Sequence, residues 1–327
     1  MNLSELQQNP SSYLSTLPLD VVRFEIETRY NYRHGSTVNK SGKLIRVLPG
    51  FVEPSALLID SHNRLIVKEL NTDTLKIVDL KTDKISSVDG FPSLGQDNNN
   101  IAINSKNEII YHQLTAGTGQ IIIRDLNGSG ILIFGIEHET DCPYLACDSD
   151  DKIYVSDSSM GYVIVYDQIG RKIECFSSPA NLSCSGNIRI FQDRLVVINP
   201  IHNTINIFSL AEGKRGEFIR KFPISVTFAR HQFTHEEFTC RLTCDSDGNI
   251  ILSAAEFDVI AIFSMEGELL RVLNIEDELN ATDLDFGASE GRNVTAENRV
   301  EVAGIAVDHH GHIWIADIKG NRLLQFD

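Results

Sequence analysis

Six times along this chain, an apolar run, a short polar turn and a second, alternating apolar run follow one another. The copies are ALLIDSHNRLIVKE (56–69), NIAINSKNEIIYHQ (100–113), YLACDSDDKIYVSD (144–157), GNIRIFQDRLVVIN (186–199), RLTCDSDGNIILSA (241–254) and GIAVDHHGHIWIAD (304–317). Alternation on both sides of a turn rich in Asp, Asn and Gly is the pattern of two antiparallel strands joined tightly. A third alternating run follows each copy: LKIVDL, IIIRDL, VIVYDQ, INIFSL, IAIFSM and LLQFD. A fourth follows in five of them: KISSV, ILIFG, KIECF, EFIRKF and ELLRVL. The spacing is conserved within the chain. Asp60 to Asp79, Asp148 to Asp167, Asp245 to Ser264 and Asp308 to Asp327 are each 19 residues apart. The fourth copy keeps that spacing from Ile190 to Ser209 without its turn Asp. The second inserts two residues between Asn104 and Asp125, around AGTG.

One such unit cannot bury its own apolar faces, so repeats of this kind are stable only when stacked. Six four-stranded units predict an all-β fold, a six-bladed β-propeller spanning 41–327. The sixth copy has three strands, and SGKLIRVLPGF (41–51) matches MEGELLRVL (265–273). Strand 43–48 is therefore predicted to complete the last blade, closing the ring and covering an open sheet edge. Residues 1–40 form a separate N-terminal extension. It is predicted to be partly helical after Pro18, where Leu19, Val22, Phe24 and Ile26 recur.

Residues 305–326, with their Val-Asp-x-x-Gly turn and closing Asn-Arg-Leu-x-x-Phe, resemble an NHL repeat. Residues 145–166 and 242–263 resemble it less fully. The resemblance implies a six-bladed propeller and leaves the function open, because such propellers serve as ligase recognition domains, lactonases, lyases and scaffolds. STLPLDVVRFEI (15–26) resembles the opening of an F-box over its first helix, which would imply a substrate receptor for ubiquitin transfer. The plainer reading is an amphipathic helix packed on the propeller.

Charge and composition exclude several classes. With 45 Asp and Glu against 29 Lys and Arg, the net charge of −16 repels phosphate backbones, so nucleic acid is not an expected partner. The exception would be a local basic patch around Lys214, Arg215, Arg220, Lys221 and Arg230. The first twenty residues lack a signal-peptide pattern, and no apolar run is long enough to span a bilayer. The six cysteines form no C-x-x-C pair. The reading is a reduced, intracellular, cytoplasmic protein with no cofactor or structural zinc.

Connections between successive units are uneven. They run 23–25 residues between the first four copies, then 36 from Ser209 to Asp245 and 44 from Ser264 to Asp308. The extra segments, 223–240 and 275–303, fall at the same topological place on either side of blade 5. Long loops on a rigid scaffold are where binding concentrates. The first contains His231, His235 and Glu236, spaced as metal ligands on a helix can be, although the H-E-x-x-H signature is missing and a polar loop is the simpler reading. The second is acidic and reads as an irregular rim loop. Channel-lining positions fall just before each first strand: Ser55, Asn100, Tyr144, Gly186, Arg241 and Glu301. Arg241 and Glu301, on neighbouring blades, are expected to pair, either orienting a small polar ligand or plugging the channel. His309, His310 and His312 fall in a turn on the opposite face, and the turn Asp residues are expected to cap their own backbone.

The function expected from these features is a non-enzymatic interaction propeller that binds another protein through the two rim insertions. Residues Asn100, Tyr144, Arg241, Glu301, His231, His235 and Glu236 are the candidate contacts, and a small-molecule ligand also fits. The alternatives are a lactonase-like hydrolase with a channel metal and an F-box-like receptor.

Overall fold

The computed structural model describes residues 41–92, 101–115, 118–127, 129–136, 143–157, 161–177, 186–199, 202–224, 240–254, 259–281 and 300–327. The helix and F-box-like start expected in 1–40, Asn100, and the His231, His235 and Glu236 group lie outside them.

The described chain forms six four-stranded antiparallel sheets. The strand β1 (Leu44–Pro49) stands apart in sequence from its sheet. Blade 1 is β2 (Pro54–Ile59), β3 (Arg64–Glu69), β4 (Thr74–Asp79) and β5 (Ile85–Asp89). Blade 2 is β6 (Ile101–Ile103), β7 (Ile109–Thr115), β8 (Thr118–Arg124) and β9 (Gly130–Gly135). Blade 3 is β10 (Tyr144–Cys147), β11 (Ile153–Asp157), β12 (Tyr162–Tyr166) and β13 (Lys172–Ser177). Blade 4 is β14 (Ile188–Phe191), β15 (Arg194–Asn199), β16 (Thr204–Ser209) and β17 (Phe218–Pro223). Blade 5 is β18 (Cys240–Cys244), β19 (Ile250–Ala254), β20 (Val259–Phe263) and β21 (Leu269–Asn274), followed by the helix α1 (Ile275–Ala281). Blade 6 is β22 (Val302–Val307), β23 (Ile313–Asp317) and β24 (Arg322–Phe326), with β1 as its outer strand.

Both faces of each sheet are apolar because each packs on a neighbouring blade. Leu58, Ile66, Ile101 and Ile109 fill the seam between blades 1 and 2, and Val196, Ile207, Leu242 and Phe263 fill the seam between blades 4 and 5. Trp314, fully buried, packs with Leu57, Leu65 and Val67 where blade 6 meets blade 1.

The turns explain the recurring Asp. In blade 1 Asp60 Oδ1 accepts from the backbone N–H groups of His62 (2.9 Å) and Arg64 (2.8 Å). Asp148, Asp245 and Asp308 make the same pair of bonds in blades 3, 5 and 6. Three residues after the Asp, or after Asn104 in blade 2, stands a residue with positive φ: Asn63 at 59°, Asn107 at 63° and Asp151 at 62°. Asn and Asp tolerate that region best among residues with a Cβ. Here they also reach the next turn. Asn63 accepts from the His309 N–H (2.8 Å), Asn107 from Ser61 (2.9 Å) and Asp151 from Ser105 (2.8 Å). Four consecutive blades, 6 to 3, are therefore stitched along this face. His312 Nδ1 lies 3.0 Å from Asp308 Oδ2, so that histidine belongs to the turn. The fourth copy lacks the Asp because its hairpin is shorter: Phe191 faces Arg194, leaving Gln192 and Asp193 alone in the turn. The two extra residues of the second copy lengthen its β7–β8 hairpin, whose last pair is Thr115 with Thr118.

Closure occurs as the sequence predicts. β1 pairs with β24, with Leu44 opposite Phe326 and Pro49 opposite Arg322. The turn between them is assembled from both ends of the propeller. Gly42 N–H donates to Asp327 O (2.8 Å) and Asp327 N–H to Lys43 O (3.0 Å). The continuous turn of blade 5 has the same two bonds, Gly267 to Ser264 (3.0 Å) and Ser264 to Glu268 (2.8 Å). Gly42 and Gly267 both have positive φ, 66° and 92°, which the bend demands of them.

One expectation is corrected. The second insertion does not begin as an irregular loop: Ile275–Ala281 is helical, with the Asp277 N–H bonded to Asn274 Oδ1 (3.2 Å) as an N-cap and Ile275 and Leu279 buried.

Gly304 lets inner strands β22 and β2 approach closely. A Cβ there would lie 3.0 Å from Ser55 O and 3.1 Å from Ala56 Cα, backbone atoms that cannot rotate away. Gly304→Ala is expected to destabilise the propeller by about 1–3 kcal/mol, seen as a lower denaturation midpoint with unchanged m. A more stable variant would mean that only the usual entropic gain of Gly→Ala operates there.

Candidate binding site at the channel end

Each blade's inner strand begins on the face where the connections from the preceding outer strand arrive. Register places one residue of that strand opposite one near the end of the second strand: Ala56 with Lys68, Tyr144 with Ser156, Arg241 with Ser253 and Gly304 with Ala316. In blade 4 the Ile198 N–H bonds Asn187 O (3.0 Å), giving Asn187 the same place. Directly opposed residues share a sheet face. This layer carries polar side chains in blades 1 to 5 and the Gly304–Ala316 pair in blade 6. Lys68, His112, Ser156 and Ser253 are each at most 2 % exposed.

Some members of the layer are satisfied. Lys68 Nζ donates to Glu69 O (2.9 Å) and to Thr72 O, and Ser156 Oγ to Gly186 O (3.3 Å). Burial pulls the Lys68 pKa down to about 8, against the opposing charges of Asp73 and Glu69. Others have no partner among the described residues: Ser253 Oγ, Arg241 Nε and both ring nitrogens of His112. Burial pushes the His112 pKa down to about 4, so its ring is neutral at pH 7.

On the axis, Ser55, Asn187, Arg189, Arg241 and Gly304 line a cavity of about 20 Å³, close to the size of one water. Arg189 Nη1 donates to Ile188 O (3.0 Å) and Asn187 Oδ1 (3.4 Å). Desolvation lowers its pKa to about 10; the Cys244 thiol works against that shift and the Arg241 charge adds to it.

The expected partner of Arg241 is elsewhere. Glu301 Oε2 pairs with Lys319 Nζ at 2.8 Å, and its side chain is 41 % exposed at the rim. The ladder runs in regular register from the turn back to Gly304, which therefore occupies the layer, and Glu301 lies three residues further out, beyond a bulge between Val302 and Gly304. The expected Arg241–Glu301 pair does not form. Tyr144 lies in the layer where the sequence places it, and it packs against the seam between blades 3 and 4. Asn187, Arg189, Lys68 and His112 were not anticipated. The short turn of blade 4 moves the register by one, so counting back from Ile190 reaches Gly186 instead of Asn187. Lys68 and His112 had a signal, a polar residue late in an otherwise apolar second strand (LIVKE, IIYHQ). Among the described residues, no three His, Cys, Asp or Glu side chains are grouped as metal ligands. No described helix is long and apolar enough to cross a membrane.

No protein-family model matches the sequence, and no curated protein matches it. Solved structures do resemble the fold. A streptogramin B lyase aligns with a TM-score of 0.58 at 12 % identity, over 86 % of this chain and 96 % of its own. The virginiamycin B lyase of Staphylococcus aureus gives 0.56 at 14 %, over 86 % and 98 %. The WD40 propeller domain of Doa1 gives 0.54 at 12 %, over 88 % and 97 %. At such identities the likeness is one of fold alone. It spans enzymes and a WD40 domain alike.

Proposed function

We propose that this protein is a non-enzymatic binding propeller that engages a protein partner across the face where its two long connections emerge. The observation that carries the reading is topological. The segments 224–239 and 275–301 both join an outer strand to the next inner strand, and in chain order they stand on either side of blade 5. The stitched turns hold the opposite face rigid, and binding segments mounted on a rigid scaffold lose less entropy on binding. The WD40 likeness is consistent with a role in protein interaction. The competing reading, a lactonase-like hydrolase with a channel metal, meets a physical obstacle. Two guanidinium groups line the axial cavity and would repel a divalent cation.

The test is comparative capture. Full-length protein and a variant with 225–239 and 282–299 replaced by short Gly/Ser linkers are used as bait in native extract, after equal thermal stability is verified. A stoichiometric protein retained by the first and lost by the second is the expected result. Equal recovery by both baits, or a tightly bound metal together with lactone hydrolysis, would overturn the reading.

A further inference from the structure

The charge pattern at the axis is one-sided: two arginines line one cavity. Two other half-buried arginines meet carboxylates, Arg64 with Asp60 (2.7 Å) and Arg322 with Asp317 (2.8 Å), whereas Arg124 lies over the Phe91 ring. The chain carries 45 acidic residues, yet among the described residues none pairs with Arg189 or Arg241. The hydrogen-bond acceptors of Arg189 are neutral, the Ile188 carbonyl and the Asn187 amide oxygen. Arg241 Nε is buried and has no partner among the described residues. The two side chains come from adjacent blades, 4 and 5, and line one cavity. Leaving buried charged donors unmatched is costly, and bringing two like charges to one place adds to the cost.

We propose that this end of the channel is a binding site for a single small oxyanion group, a carboxylate or a phosphate, held between Arg189 and Arg241. The guanidinium fork matches the oxygen spacing of both anions, and such charge-assisted bonds are stronger than neutral ones. Asn187, whose Oδ1 already accepts from Arg189, still has its amide nitrogen to offer as a further donor. The cavity of about 20 Å³ takes about one oxygen of the group, so the remainder of the anion lies in the channel beside it, and the ligand is either a free ion or the acidic tip of a larger molecule. The proposal goes beyond the partner reading above and does not depend on it, because it concerns the purified chain alone.

The experiment is a thermal-unfolding titration of the purified protein with sodium phosphate, sodium acetate and, at matched ionic strength, sodium chloride. The expected result is a rise in Tm of about 5 °C near saturation with phosphate or acetate and none with chloride. The more effective of the two identifies the anion class. Arg189→Gln and Arg241→Gln are expected to lose this response while melting no lower than wild type in chloride, since each removes a like-charge repulsion. Asn187→Asp supplies a carboxylate from within. It is expected to melt higher than wild type in chloride and to respond to neither anion. An equal rise with all three salts, no rise with any, or a response undiminished in Asn187→Asp would overturn the proposal. That last variant decides the matter even if an arginine variant fails to fold. The variant lacking 225–239 and 282–299 should respond like wild type, which separates this site from the partner reading.

Discussion

A chain begun at residue 50, without β1, is expected to lose cooperative folding and to be recovered mainly as aggregate. β1 supplies the fourth strand of blade 6 and the second half of a turn whose first half is Asp327. Without it the β24 edge is open to pairing with other chains. Leu44, 5 % exposed, is also lost from the cluster in which it packs with Leu273, Leu279 and Phe326. The interactions removed amount to more than roughly 5 kcal/mol, comparable with the whole stability of an ordinary domain. A finer version is Leu44→Ala in the complete chain, expected to cost about 2–4 kcal/mol. A third version tests the split turn itself. A permutant that joins Asp327 to Ser41 through a short linker, with new ends opened in the hairpin turn after Leu210, is expected to fold with at least wild-type stability. The hydrogen bonds of the split turn match those of an unbroken one, so little geometry has to change. If the chain begun at residue 50 melted like wild type, the strand would be an accessory and the ring would be held shut by its inner seams.

The contrast between what the sequence made legible and what it hid follows from the physics of the two. Blade count, strand order and closure rest on period-2 alternation and on the fixed interval from turn Asp to strand end, and both are local. The Asp turns were legible for the same reason: the carboxylate bonds backbone groups two and four residues ahead. The axial cavity is not local. Arg189 and Arg241 are 52 residues apart and meet only because blades 4 and 5 are adjacent. Their inner-strand registers depend on a two-residue turn in one blade and a longer turn in the other. Glu301 lies three residues beyond Gly304, the strand's member of the layer, and so stands at the rim, where Lys319 holds it. Helix α1 was legible in retrospect through its Asn274 cap and the i, i+4 pair of Ile275 and Leu279, but its acidic first turn reads equally as a solvated loop.

Stability is expected to fall by about 3 kcal/mol as pH is lowered from near 6.5 to near 4, with His112 as the cause. The ring is 2 % exposed, neither nitrogen has a partner among the described residues, and burial lowers its pKa from 6.5 to about 4. Ile121 stands opposite on β8, and a Cβ added to Gly119 would come within 2.9 Å of Nε2. In the unfolded chain the imidazole takes up a proton near pH 6.5, whereas the folded protein resists until about pH 4. Between those values the unfolded state binds more protons, so stability rises with pH through that window and is level outside it as far as this residue is concerned. The carboxylates act in a different window. Burial alone would raise the pKa of Asp308, but hydrogen bonds from the Trp314 indole and from His312 outweigh it, and the net shift is downward. Its contribution is present above the ordinary carboxylate pKa and is lost only as pH falls through the lowered value. His112→Leu separates the two effects. It is expected to match or exceed wild-type stability at pH 5 and to flatten the dependence between pH 4 and 6.5, leaving the more acidic loss unchanged. Denaturant unfolding at a series of pH values measures both windows. A slope in the upper window that survives His112→Leu would mean that a different group titrates there and that the His112 ring finds a hydrogen-bond partner in solution.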